Sequence, residues 1–195
     1  AEYISDNARA FDIETVLVPE PATIQLAQLA EKGLTYDDIK QDPYEHLQFQ
    51  TEILRVVDRS IKRCRQIHAT RKSDMLVIID RPDIGAYVSD ELYRQAYSSI
   101  GYSSPPFYTQ VDTLLYFPTI AKRSTKLYES LRGGNAQRYE SAEQAIATCN
   151  ENFNAVKDHP NLWLLGEEVF ERTLRYAANI ALRGFGQAAV LQEAY

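Results

Sequence analysis

The chain has few of the features that define several broad protein classes. It has 195 residues and only two cysteines, Cys64 and Cys149, which form no Cys-x-x-Cys pair and no metal-ligand spacing. We therefore predict two reduced thiols in an intracellular protein. No apolar run approaches the roughly 20 residues that cross a bilayer, so no transmembrane segment is expected. The N-terminus has no signal-peptide pattern, which leaves import into an organelle open.

The charge balance argues against nucleic acid as a partner. The formal net charge is -6 and the pI is about 5.2, so no broad electrostatic attraction to phosphate backbones is expected. One region is locally basic; it contains Arg55, Arg59, Lys62, Arg63, Arg65, Arg71 and Lys72. Two interpretations stay open for this region, a solvated helix face or a docking surface for an acidic partner.

Short apolar or β-branched runs alternate with helical patterns along the chain. The predicted strands are residues 13–18, 75–79, 111–117 and 162–165. The predicted helices are residues 1–11, 22–31, 43–70, 89–100, 119–131, 140–157 and 167–183. This alternation is typical of βαβ units with a parallel sheet, and the length fits one domain. We predict a single α/β domain over residues 1–186, followed by a C-terminal tail, 187–195.

The second predicted strand runs directly into an acid and a base, Asp80 and Arg81. Its five consecutive apolar residues, 75–79, fit a strand that is buried on both faces. Ligands of open α/β sheets bind beyond the carboxyl ends of such strands, which makes this pair a candidate site. A plainer interpretation is that the two residues end the strand and pair with neighbours.

Several further segments occur in a characteristic order. They are residues 18–23 (Val-Pro-Glu-Pro-Ala-Thr), 49–50, 76–81, 86–87, 114–117, 135–140 and 159–160. Their order and spacing resemble the P-loop kinase-like ATP/GTP-binding domains of the AAA type and, more distantly, nucleoside and nucleoside-monophosphate kinases. The resemblance covers about residues 16 to 186. It implies a three-layer αβα fold of the P-loop NTPase/kinase type with a parallel sheet.

The resemblance also implies a role for four residues. Glu20 would line the acceptor side of the cleft, and Asp80 would polarise Mg²⁺ or accept a proton. Arg81 and Arg138 would contact phosphate oxygens of ATP or GTP, because a planar guanidinium can make bidentate contacts. The residues themselves leave alternatives open. Glu20 could cap the following helix, and Arg138 could be a surface or docking arginine.

The chain departs from the family pattern in three places. These 195 residues contain no Gly-x-x-x-x-Gly-Lys-Ser/Thr loop, whose amides and lysine hold the phosphates in the family. Pro82 stands where a glycine usually follows Asp-Arg, and Gly166 stands where a polar residue is often found near the base. The first strand of the family would then be missing, or supplied from outside this chain.

These departures favour a catalytically degenerate domain, and no bound cofactor is then expected. We expect a structural or accessory subunit of a larger protein assembly, such as a mitochondrial respiratory complex, where kinase-like folds are known. A mitochondrial or a cytoplasmic location would fit. The alternative is an active NTPase or kinase that uses ATP or GTP with Mg²⁺ and has its phosphate loop upstream of residue 1.

Overall fold

The computed structural model describes residues 1–71, 73–80, 88–132, 141–166 and 170–185. The protein is a mixed α/β chain and is 65% helical. The helices are α1 (Glu2–Arg9), α2 (Pro21–Glu31), α3 (Tyr36–Lys40), α4 (Pro43–Arg71), α5 (Asp90–Ser99), α6 (Phe107–Gln110), α7 (Thr125–Arg132), α8 (Ala142–Val156) and α9 (Phe170–Leu182). The strands are β1 (Glu14–Val18), β2 (Met75–Ile79), β3 (Leu114–Tyr116) and β4 (Leu162–Leu164). Short 3₁₀ helices cover Ile120–Lys122 and Arg183–Phe185.

The chain divides into two compact units. The first unit comprises Ala1–Val111 and Leu174–Tyr195, and the second comprises Asp112–Thr173. In the described residues each unit contains one small sheet of two parallel strands, β1 with β2 and β3 with β4. The parallel pairing confirms the predicted α/β class. The predicted single sheet is present as two separate pairs, because no described strand joins β2 to β3.

The β1–β2 pair of the first unit follows from its sequence. Both strands are rich in β-branched residues, and they are held in register from Glu14 opposite Met75 to Val18 opposite Ile79. Asp12, with a φ of 58°, makes the turn from α1 into β1, a conformation that Asp tolerates better than most residues. The turn places α1 against β1.

The long helix α4 organises the rest of the first unit. It packs against α2, α3 and α5 and also contacts both strands. Its apolar stripe is buried, and the buried hydrophobic members are Ile53, Leu54, Val57, Ile61 and Cys64. Leu54 packs with Tyr93 and Ala96 of α5. These buried residues recur mainly at steps of three and four positions, the spacing of one face of a helix.

The second unit has its own small core. Ala121, Tyr128, Ala142 and Ala145 form a buried cluster between α7, α8 and the 3₁₀ turn. Ser141 begins α8 with a capping box, in which its side chain accepts the Gln144 amide and the Gln144 side chain accepts the Ser141 amide. Three of the four members of the buried cluster are alanines, and Tyr128 is the large side chain among them.

Several predicted boundaries differ from the structure. The predicted strand 111–117 is only Leu114–Tyr116, since Val111 is the C-cap of α6. The predicted helix 119–131 is a 3₁₀ turn followed by α7, because the Ser124 hydroxyl accepts the Leu127 amide and starts a new helix. The assignment of residues 1–186 to a single domain stays a prediction, and the tail 187–195 lies outside the described residues. Among the described helices, none is long and apolar enough to cross a membrane.

Candidate functional site at the acidic edge of the β1–β2 pair

The structure brings two of the predicted site residues to one edge of the first sheet. Because β1 and β2 are parallel, their carboxyl ends meet at the same edge, with Val18 opposite Ile79. Asp80 follows directly; its backbone N–H donates to the Val18 carbonyl at 2.9 Å, which extends the ladder by one bond. Its side chain is exposed. Glu20 leaves the same edge two residues after Val18.

Glu20 lies between β1 and α2 and contributes to the start of α2. It occupies the N-cap position, with Pro21 in the first turn, but its carboxylate makes no capping bond to a backbone amide. Instead its Oε2 accepts a hydrogen bond of 2.8 Å from the Thr23 hydroxyl. Proline in the first turn fixes the start of the helix without a capping side chain. Glu20 therefore stabilises the first turn of α2 through its hydrogen bond with Thr23.

The remaining predicted phosphate contacts cannot be placed beside this edge. Arg81, Arg138 and Pro82 all lie outside the described residues. Within the ranges that the structure does describe, no group of three His, Cys, Asp or Glu side chains could hold a metal ion. The site that the structure establishes is therefore an acidic strand edge with Asp80 and Glu20. The roles that the resemblance implies for the four residues stay predictions.

The backbone conformation at position 166 favours glycine. Its φ is +115°, a conformation that other L-residues rarely adopt. A Cβ at this position would lie 3.4 Å from Cδ of Pro118. Its carbonyl also accepts a hydrogen bond of 3.1 Å from the Arg123 guanidinium. The glycine after β4 therefore serves the turn, and it carries less weight as a sign of a lost base contact.

The basic region of α4 is partly neutralised by the protein itself. Arg55 and Arg59 both pair with Glu52, and Arg71 pairs with Glu14 at 2.7 Å. These pairs are half-exposed, so each contributes little to stability. An open groove of about 330 Å³ lies along the end of the helix; it is lined by Arg63, Gln66, Ile67, Thr70 and Arg71. The ion pairs favour the interpretation of a solvated helix face.

One buried polar cluster was not predicted. Asp58 of α4 is only 8% exposed. Its Oδ1 accepts hydrogen bonds from the Tyr102 hydroxyl at 2.6 Å and from the Gln110 amide at 3.1 Å. Its Oδ2 is 2.7 Å from Nζ of Lys62. Gln110 also contacts the Tyr102 hydroxyl. The cluster thus ties α4 to the loop after α5 and to α6.

Burial and hydrogen bonding shift the pKa values of Asp58 and Tyr102. Burial raises the pKa of the Asp58 carboxyl, but hydrogen bonds from Lys62, Tyr102 and Gln110 outweigh it and hold the pKa below its ordinary value. Burial, together with the hydrogen bond to Asp58, raises the pKa of Tyr102 to about 12. Asp58 is thus an anion and Tyr102 a neutral donor at neutral pH. The arrangement is a structural clamp that holds α4, the loop after α5 and α6 together.

The sequence contained a signal for this cluster. Asp58 lies one turn after Leu54 and three residues before Ile61, so an acid interrupts the apolar stripe of α4. A carboxylate on a buried stripe requires partners. The partners could not be identified in advance, because Tyr102 is separated from Asp58 by 44 positions.

Both cysteines are free and buried, which confirms that they form no disulfide. Burial raises the pKa of the Cys64 thiol. Sγ of Cys149 accepts the Thr119 amide at 3.3 Å and lies 3.1 Å from the Tyr116 hydroxyl oxygen. Neither thiol has the exposure of a nucleophile, so both are structural.

Comparison with known proteins assigns no family. The chain matches no family model, and it shows no significant similarity to a curated protein or to a solved structure.

Proposed function

We propose that this chain is a non-catalytic, accessory subunit of a larger protein assembly, built on an α/β core of the kinase-like type. One observation carries the proposal. The strand β2 is entirely apolar, yet none of its five side chains is fully buried. Strands of parallel sheets normally have both faces covered, and a sheet of two strands has little stability of its own. A partner that covers this strand would stabilise the subunit.

The residues at the acidic edge are consistent with a binding role. Glu20 is engaged by Thr23 at 2.8 Å, and Asp80 is exposed at the surface. Both oxygens of the buried Asp58 carboxylate have partners within the protein. A mitochondrial respiratory complex is one assembly that the sequence resemblance suggests by analogy, and the proposal requires only a protein partner.

A second candidate function is a magnesium–nucleotide site at the same edge. It is favoured by the position of Asp80 and Glu20 beyond the carboxyl ends of two adjacent parallel strands. Asp80 would then face Mg²⁺, since carboxylate oxygens are ligands that this ion prefers. The phosphate groups would need Arg81, Arg138 and a phosphate loop from another segment.

Nucleotide binding separates the two candidates. Isothermal titration of the purified protein with ATP and with GTP, each with and without Mg²⁺, should give no saturable heat if the subunit is accessory. A phosphate-release assay should show no turnover above that of an Asp80→Ala variant. Magnesium-dependent binding and turnover that Asp80→Ala abolishes would overturn the accessory role and establish the second candidate.

A further inference from the structure

Two backbone hydrogen bonds fix which edge of β2 is paired. The Glu14 N–H donates to the Asp74 carbonyl at 3.0 Å, and the Asp80 N–H donates to the Val18 carbonyl at 2.9 Å. In a parallel ladder the backbone groups of a strand point alternately to its two edges. The even-numbered residues of β2 therefore face β1.

The odd-numbered residues of β2 face the opposite edge. Met75, Val77 and Ile79 direct their N–H and C=O groups away from β1, and within the described part of the chain no strand pairs with them. These groups form a row that can accept an added strand, as exposed sheet edges do in known peptide complexes.

The side chains of this edge lack the features that protect exposed strands. Natural edge strands carry lysine, proline, an inward charge or a bulge, which prevent pairing with other chains. The segment Met75–Ile79 has none of these; its residues are Met, Leu, Val, Ile and Ile, all partly exposed. An unprotected strand edge of this kind is typical of a surface that another segment or protein covers in the functional state.

The charged residues at the two ends of the outer edge of β2 indicate which kind of partner it would bind. Asp74 and Asp80 lie at its two ends, and both are exposed. A second copy paired about a twofold axis at Val77 would place Asp74 opposite Asp80 of the other copy at both ends. Like charges directly opposite each other destabilise a strand pair, so the charges disfavour a second copy and favour basic flanks.

We propose that the outer edge of β2 binds an extended apolar segment of another protein, flanked by Lys or Arg, as an added β-strand. The inference rests on the proposed accessory role and names the chemistry of the partner. Main-chain bonds to Met75, Val77 and Ile79 would provide the pairing, and Asp74 and Asp80 would provide the selectivity for basic flanks.

Labelled peptides test the proposal directly. One probe is a dye-labelled peptide with five apolar strand-forming residues between lysines; its matched control has aspartates in place of the lysines. Fluorescence anisotropy should show that the lysine peptide binds at least about tenfold more tightly at low salt. Amide hydrogen exchange of the complex should slow at Met75, Val77 and Ile79, and little at the already paired Leu76 and Ile78.

Two variants locate the binding at this edge. Val77→Pro removes one outward N–H. Proline is tolerated at this position of an edge strand because the N–H points away from β1. The substitution should weaken binding of the lysine peptide at least about tenfold. Val77→Thr keeps the N–H and should bind as the original does. Ile78→Pro breaks the ladder to β1 and should instead lower the melting temperature.

A charge-reversal variant covers the case in which Val77→Pro does not fold. The double variant Asp74→Lys, Asp80→Lys changes exposed side chains only and should prefer the aspartate peptide. The proposal would be overturned if both peptides bind equally, or if the double variant keeps the preference for the lysine peptide. It would also be overturned if the peptide protects other amides, or if no binding is seen at the solubility limit of the peptide. Nucleotide binding and turnover are measured on the unaltered protein without peptide, so this inference and the accessory role fail by different measurements.

Discussion

The Tyr102 hydroxyl donates a hydrogen bond of 2.6 Å to Oδ1 of Asp58, across 44 positions of the sequence. This bond joins the middle of α4 to the loop after α5. Lys62 and Gln110 complete the coordination of the same carboxylate. A buried carboxylate with three donors is stable as an anion, whereas removal of one donor leaves an acceptor in need of a partner.

Tyr102→Phe should therefore destabilise the first unit. We expect a loss of about 1–2 kcal/mol in the free energy of unfolding, because a hydrogen bond to a charged group is removed without changing the size of the ring. Urea unfolding followed by far-ultraviolet circular dichroism measures this. Tyr44→Phe is the matched control, since Tyr44 is 66% exposed, and it should change stability by less than about 0.5 kcal/mol. Equal effects of the two variants would contradict the clamp.

The burial of Tyr102, together with its hydrogen bond to Asp58, predicts a loss of stability at high pH. The pKa of Tyr102 is raised from 10.0 to about 12 in the folded protein. A raised folded pKa means that the contribution is fully present below pH 10.0 and is lost as the pH rises through about 12. Carbon-13 NMR of labelled tyrosine, with Tyr102→Phe to assign the signal, should show this ring ionising late. If the Tyr102 hydroxyl ionises in the folded protein with a midpoint near pH 10.0, its burial and its hydrogen bond to Asp58 do not stabilise the protonated form.

Gly166→Ala should destabilise the second unit. Its φ of +115° is strained for any residue with a Cβ, and such strain costs about 1–3 kcal/mol. Gly184→Ala is the control, because a Cβ there meets nothing within 4 Å and its φ lies outside the left-handed range. Chemical unfolding of both variants provides the comparison. A neutral Gly166→Ala would restore the view that this glycine replaced a functional side chain.

Asn161 should control the environment of the single tryptophan. Its Oδ1 accepts Nε1 of Trp163 at 2.8 Å, and its Nδ2 donates to the Asp112 carbonyl and the Thr113 hydroxyl. Asn161→Asp keeps the acceptor for Trp163 but loses the two donated bonds, so we expect unchanged emission with a stability loss of about 1 kcal/mol. Asn161→Ala should change the emission as well. Identical emission spectra for all three proteins would show that this bond does not fix the indole.

Local patterns predicted much of the secondary structure. The buried apolar residues of α4 from Leu54 to Cys64 stand at steps of three and four positions. The run of five apolar residues predicted the limits of β2. Gly33 follows the end of α2 with a φ of +72°, the conformation in which glycine commonly ends a helix. These features depend on residues close in sequence, which is why the sequence was sufficient.

Long-range pairing could not be predicted in the same way. The separation of the strands into two pairs depends on which edges meet, and hydrophobic periodicity carries no information about that. The short helix α3 was missed although Thr35 and Asp38 form a capping box, a signal that the sequence did contain. At the candidate site, the sequence predicted that Glu20 and Asp80 would follow strands. That these strands are adjacent is established by the β1–β2 register.

The mass of the native particle distinguishes an accessory subunit from a nucleotide-binding protein. The tagged chain and its Val77→Pro variant would be expressed in the natural host, purified gently, and weighed by native and by denaturing mass spectrometry. We expect the original chain in a particle heavier than its own denatured mass, with a protein partner and no nucleotide. We expect the Val77→Pro variant to be recovered alone. A chain that is recovered alone with bound ATP or GTP would contradict the accessory role. An assembly that Val77→Pro leaves intact would contradict binding at the outer edge of β2 and leave the accessory role standing.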